Sequence, residues 1–222
     1  MIRSHDPKGG MGPAFYITAR ENELVDDPLA LTIGQGPSGD YLTYWDETDG
    51  DRDAKGVLWA RCSHTESRNG RPVGRHVGEL HPDRQYSTML HRHCGVGGCP
   101  ARTPDKRYLH LVTKDERLEN GTVRTIHPPV CLDHAAGYAA SDPRLRNGYT
   151  ALLVGASALW GVIGTTYAAV GSHAVRPDPG GQPQLLPYGT DGLRWVLANR
   201  LVRDLTDVEE VDLHRVLRES PR

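Results

Sequence analysis

Cys94-Gly95-Val96-Gly97-Gly98-Cys99, followed after residues 100–130 by Cys131-Leu132-Asp133-His134, is the stretch on which the reading of this chain turns. Zinc prefers four N or S ligands in a tetrahedron, and two ligand pairs on short local turns fix four directions with little backbone ordering. The first pair encloses a run too rich in glycine to extend a helix and pliant enough for the tight turn that brings two thiolates together. The second opens a segment of helical composition, Cys131 to Ala140, in which a one-turn spacing sets both ligands on one face. The expected ligand set is therefore Cys94, Cys99, Cys131 and His134, around one structural zinc with no open position for a water nucleophile. Two alternatives remain at this level. The cysteines can be ordinary buried thiols beside a surface histidine, and His91, His93 or His127 can replace His134, since imidazole serves from any of them.

Outward from this stretch, His81-Pro82-Asp83 reads as a helix start, with proline in the first turn and an acid at the positive end of the dipole, and the helix should run to about His93. Tyr108 to Thr113 alternates as a strand, and Thr122 to Ile126 is its expected partner across the Asn120-Gly121 turn, before Pro128-Pro129 stops it. Knuckle, hairpin and helix in that order make the treble-clef plan. Further out, Tyr41 to Trp45 and Gly56 to Cys62 predict a hairpin around a solvated acidic tip, Asp46 to Lys55. Thr150 to Val154 and Trp160 to Tyr167 read as two strands joined at Gly155 to Leu159, and Gly171 to Pro183 as a Gly/Pro-rich linker. Leu193 to Leu205 and Val208 to Leu217 read as amphipathic helices.

The expected organisation is a poorly ordered lead over 1–40, with a short strand around Phe15 to Thr18. An N-terminal hairpin and helix follow over 41–93, then a treble-clef-like zinc unit with two added strands over 94–170. A linker covers 171–184 and C-terminal helices cover 185–222. The fold class is α+β, a zinc-stabilised treble-clef-like core with antiparallel hairpins and C-terminal helices.

Of 222 residues, 25 are Gly and 16 Pro, with a single Phe and a hydrophobic fraction of 37%. Such a chain builds a modest core among many turns, and a metal staple helps it. A net charge of −2 excludes a general nucleic-acid coat, which carries a strong basic excess. No apolar run is long enough for a membrane span or a signal-peptide core, so a cytoplasmic location without membrane contact is expected. In that reducing setting four cysteines point to metal ligands rather than disulfides.

The segments Asp46-Glu47, Asp51-Arg52-Asp53, Gly56-Val57-Leu58-Trp59, Gly78-Glu79-Leu80-His81-Pro82, Pro128-Pro129-Val130-Cys131 and Trp160-Gly161-Val162 occur together here. In combination they resemble a family of uncharacterised actinobacterial, streptomycete-type zinc-binding proteins, in which a GVLW hairpin precedes a CxxC knuckle and a PPVCxxC segment. The resemblance spans about Tyr41 to Leu205. It implies an architecture and brings no established activity. Two departures matter: Gly97 stands where the second knuckle cysteine is expected, with Cys99 two residues later, and His134 stands where the family has cysteine.

Around the knuckle Arg84, Arg92, Arg102, Lys106 and Arg107 read first as a normal solvated helix face, and otherwise as a local basic set able to meet phosphates. The leading functional expectation is a non-enzymatic zinc-stabilised binding module that contacts nucleic acid or protein through this region. The alternative is an enzyme: a degenerate HNH-like nuclease using His110 and Asn147, or a zinc-dependent hydrolase whose catalytic residues the sequence does not name. Asp49, Asp51 and Asp53 alternate like a calcium loop, but Ala54 and Ala60 stand where its glycine and glutamate belong. Cys62 with His64 two residues on, Ser157 without a nucleophile elbow, and Trp195 beside Arg194 and Arg200 carry weaker signals.

Overall fold

Twenty-one residues without a proline, Thr150–Val170, form one continuous strand, and the rest of the fold is arranged along it. The computed structural model describes residues 15–24, 30–67, 69–118 and 120–219. In chain order these form β1 (Thr18–Arg20), β2 (Leu31–Gly36), β3 (Gly39–Tyr44), β4 (Leu58–Trp59), β5 (His76–Leu80), α1 (Pro82–His91), β6 (Tyr108–Val112) and β7 (Val123–Thr125). There follow α2 (Leu132–Ser141), β8 (Thr150–Val170), β9 (Ala174–Pro177), β10 (Gln184–Pro187), β11 (Val196–Val211) and α3 (Leu213–Glu219). The described chain is thus mixed α and β, mostly sheet with three helices.

β8 and β11 run antiparallel from Val196 opposite Thr166 to Val211 opposite Ala151. The other edge of β8 is shared by β6 over Thr150–Val154, β10 over Gly161–Gly164 and β9 over Tyr167–Val170. The other edge of β11 takes β7 antiparallel and β4 parallel. β2 with β3, and β1 with β5, make two small separate sheets.

Helix α1 begins where the sequence places it, with Pro82 behind the His81 cap, and buries Met89 against Val57, Val162 and Leu201. α2 and α3 cover the first half of β8: Ala135, Tyr138 and Leu213 pack with Leu109, Leu111 and Leu153. Cys94 belongs to the same cluster and is fully buried. The candidate metal centre is therefore continuous with the core.

Several sequence expectations are corrected. Leu193 to Leu205 is not an α-helix: Leu193 to Trp195 end a short 3-10 turn, and Val196 onward is β11. Register shifts at Ala198/Arg200 and Val202/Arg203 break the two-residue alternation, so buried Ala198 and Leu201 fall at a helix-like spacing. α-Helix follows at α3, later than the expected Val208 start. The two strands expected within 150–167 are one, because Gly155 lets the ladder pass Asp207: a Cβ there would lie 1.9 Å from the Asp207 carboxylate. The 171–184 linker contains β9, which returns along β8.

β3 pairs with β2 rather than with the segment holding β4, so residues 31–40 of the supposed lead are ordered strand and turn. The expected strand near Phe15 is β1, a few residues later, while residues 1–14 and 25–29 lie outside the described part. The Asn120-Gly121 turn forms, with Gly121 N–H donating to Leu118 O at 2.9 Å. It does not join β6 to β7, however: β6 pairs with β8 and β7 with β11. Knuckle, two strands and helix follow in the expected order, without the hairpin that a treble clef places between them.

Candidate metal centre

The knuckle closes on itself through Cys94 N–H donating to Cys99 O at 2.8 Å and Gly98 N–H donating to Cys94 O at 2.8 Å, with Gly98 at φ 67°. Three further contacts fix the knuckle and the segment that leads into Cys131. Gly95 N–H donates to Pro129 O at 3.0 Å, Tyr16 N–H to Val96 O at 2.9 Å, and Val130 N–H to Leu109 O at 2.8 Å. Cys131 then sits at the N-cap of α2, and His134 one turn on.

These elements bring all four expected ligands together, their donor atoms within 4.8 Å of one another. Cys99 Sγ lies 3.6 Å from Cys131 Sγ, and His134 Nδ1 lies 3.7 Å from Cys94 Sγ, 3.7 Å from Cys99 Sγ and 3.0 Å from Cys131 Sγ. A tetrahedron with Zn–S near 2.3 Å and Zn–N near 2.05 Å has S···S edges of about 3.8 Å and S···N edges of about 3.6 Å. Three of the four distances fall within about 0.2 Å of those edges. Polar groups also converge: the Cys131 thiol first, and the N–H groups of Cys131, Gly97 and Val96, lower the Cys94 pKa against its burial. The Cys131 thiol is raised, chiefly by its hydrogen bond with Cys94, and burial raises Cys99. A cation bound among these groups would favour the deprotonated sulfurs. His91, His93 and His127 are not part of the cluster.

The basic set divides. Arg84 is 2% exposed and ion-paired with Glu23 at 2.5 Å, so it cannot serve a phosphate. Arg107 is half-buried and paired with Asp105 and Glu209. Arg92, Arg102 and Lys106 are exposed, with the Arg92 guanidinium 4.9 Å over the Tyr108 ring.

The other candidates are absorbed by structure. His110 is 4% exposed, its pKa lowered to about 3 by burial and then by Arg203, so it has no access to a phosphodiester; Asn147 lies on a turn after α2. The acidic tip is solvated only in part: Asp46 and Asp49 are exposed, whereas Asp51 is buried on Arg61 and Asp53 accepts from the Tyr188 hydroxyl at 2.7 Å. Cys62 is buried, Ser157 accepts from Arg203 within β8, and Trp195 packs beside Leu31 and Leu42.

Sequence reasoning missed a buried network of Arg20, Glu23, His81 and Arg84 beneath β1 and α1. Glu23 is lowered to about 2, against its burial, by Arg84 and by the N–H groups of Thr65 and Arg20. No motif signals a pair 61 positions apart. His64, His81 and Asp83 also approach one another. Both His81 nitrogens are already committed, Nε2 to Ser63 O at 3.1 Å and Nδ1 to the Arg84 N–H, so that group is a helix cap rather than a ligand set.

Comparison with protein-family models, with curated proteins and with solved structures finds no match. Fold and site define a mixed α and β chain with a Cys3His cluster able to hold a metal ion.

Proposed function

We propose that this chain is a zinc-stabilised binding module whose closed Cys94, Cys99, Cys131, His134 centre is structural, and which binds nucleic acid through Arg92, Arg102 and Lys106. The observation that carries it is the four-donor cluster, with near-tetrahedral spacings and part of the hydrophobic core, beside three exposed cations. Four protein ligands leave no metal position for water, which favours a structural over a hydrolytic role. The stacked Arg92–Tyr108 pair supplies a cationic and aromatic surface suited to a phosphate backbone and an adjoining base. A treble-clef relationship of the knuckle and α2, kinship with the actinobacterial family above, and a cytoplasmic setting that keeps the thiols reduced belong to the same proposal.

The test is binding of a labelled oligonucleotide across a salt series. With two to three phosphates engaged, the logarithmic salt slope should be about −2 to −3. Arg92→Gln with Lys106→Gln should lower that slope by about 2 and weaken binding uniformly across sequences. No detectable binding at low ionic strength, with zinc in place, removes nucleic acid as the partner.

A further inference from the structure

We infer that the metal centre is also a thiol redox switch, in which a hydroperoxide joins Cys99 to Cys131 and releases the zinc; this rests on the zinc reading above.

The four ligands are not equally placed. Cys94 is fully buried in the core cluster, whereas Cys99 and Cys131 are half-buried at its edge. Those two sulfurs lie 3.6 Å apart on different elements, and a disulfide of about 2.05 Å needs an approach of about 1.5 Å. Cys131 is fixed at the cap of α2, so the movement falls to Cys99. Cys99 follows Gly97 and Gly98, the latter in a left-handed conformation, where the backbone gives most easily.

The electron count closes with hydroperoxide as the only oxidant. The Cys99 sulfur attacks a peroxide oxygen, the O–O bond breaks, hydroxide leaves, and a sulfenic acid forms. The Cys131 thiolate then attacks that sulfur, the S–S bond forms, and a second hydroxide leaves. Two thiolates give up two electrons to one hydrogen peroxide, and the two hydroxides released are neutralised by buffer acid to two waters. Cys94 and His134 remain, and two ligands do not retain zinc against solvent. The new bond still ties the knuckle to α2, so the same two elements stay joined while the ion departs. Cys62 is buried outside the cluster and has no part in the reaction.

The experiment treats the zinc-loaded full chain, and its Cys62→Ser variant, with a small molar excess of hydrogen peroxide. Released zinc is followed with a chromophoric chelator, and thiols are mapped by alkylation and mass spectrometry. The expected result is one zinc released per Cys99–Cys131 disulfide formed, equally in both proteins, and metal recovered after a dithiol reductant and zinc are added. Zinc retained while all thiols stay alkylatable overturns the inference, as does a disulfide through Cys94 or loss of metal without any disulfide. A chain that carries no zinc before peroxide refutes the zinc reading instead.

Discussion

Gly97 and His134 meet within the ligand cluster. A Cβ on Gly97 would lie 2.5 Å from His134 Cε1 and 3.3 Å from Cys99 Sγ, so a methyl group there must displace either the imidazole or the sulfur. A free ring could turn aside, but a ring fixed by a metal cannot. Gly97→Ala should therefore lower zinc affinity about tenfold or more while a competing chelator is titrated, since disturbing the surroundings that orient a ligand typically costs about 10- to 100-fold. Unchanged affinity would mean that Nδ1 of His134 is not a ligand. Cys131→Ser is more severe: it removes a thiolate from a site worth roughly 10 kcal/mol and should unfold much of the region around α2, read as loss of helical signal and zinc together. At this scale the sequence was most informative, because ligand chemistry restricts residue type and local spacing. It could not show which arginines were free, since Arg84 is claimed by Glu23, a partner brought in by the fold.

Elements were legible where local signals agree and illegible where tertiary pairing decides. The Pro82 helix start, capped by the His81 side chain, and the helix that follows Cys131 appear as expected. β11 does not, because its bulges give a strand the spacing of a helix, and only its ladder with β8 reveals it. The side chain of Gln85 on α1 completes that strand: it receives the Leu201 N–H at 2.8 Å and donates to Leu201 O at 2.9 Å and to Ile126 O at 2.8 Å. Gln85 is fully buried, so its loss leaves those main-chain groups without water to replace it. Gln85→Leu should cost about 2–4 kcal/mol, given about 1–3 kcal/mol for each orphaned buried group and partial compensation by the apolar side chain. Chemical denaturation checks it. Zinc content in the folded fraction should stay at the parental level, and a cost below about 0.5 kcal/mol would show that β11 does not depend on this clasp.

Across the whole molecule, buried titratable groups set an acid limit. Burial, then Arg84, lowers the pKa of His81; burial, then Arg203, lowers that of His110 to about 3. In both cases the folded value lies below the ordinary 6.5, so the unfolded chain binds protons that the folded chain refuses. Stability should then fall as pH drops below about 6.5, by about 1.4 kcal/mol per pH unit for each such histidine until its folded value is reached. Glu23, held at about 2 against an ordinary 4.5, acts in the same direction: its contribution is present above 4.5 and is lost between 4.5 and 2. Imidazole nitrogen shifts should show His110 still neutral at pH 5 in the folded chain, and a midpoint near 6.5 would contradict its burial. The arrangement of strands around β8 had no sequence signature, because pairing between residues 150–170 and 196–211 is chosen by the assembled core. The knuckle was visible beforehand together with the starts of α1 and α2, and its metal content carries the functional reading. X-ray absorption at the zinc edge of the purified chain tests it directly. The expected result is about one zinc per chain with three sulfurs at about 2.3 Å and one nitrogen at about 2.05 Å. Absence of stoichiometric zinc, or a shell in which oxygen replaces the nitrogen or a sulfur, would contradict it.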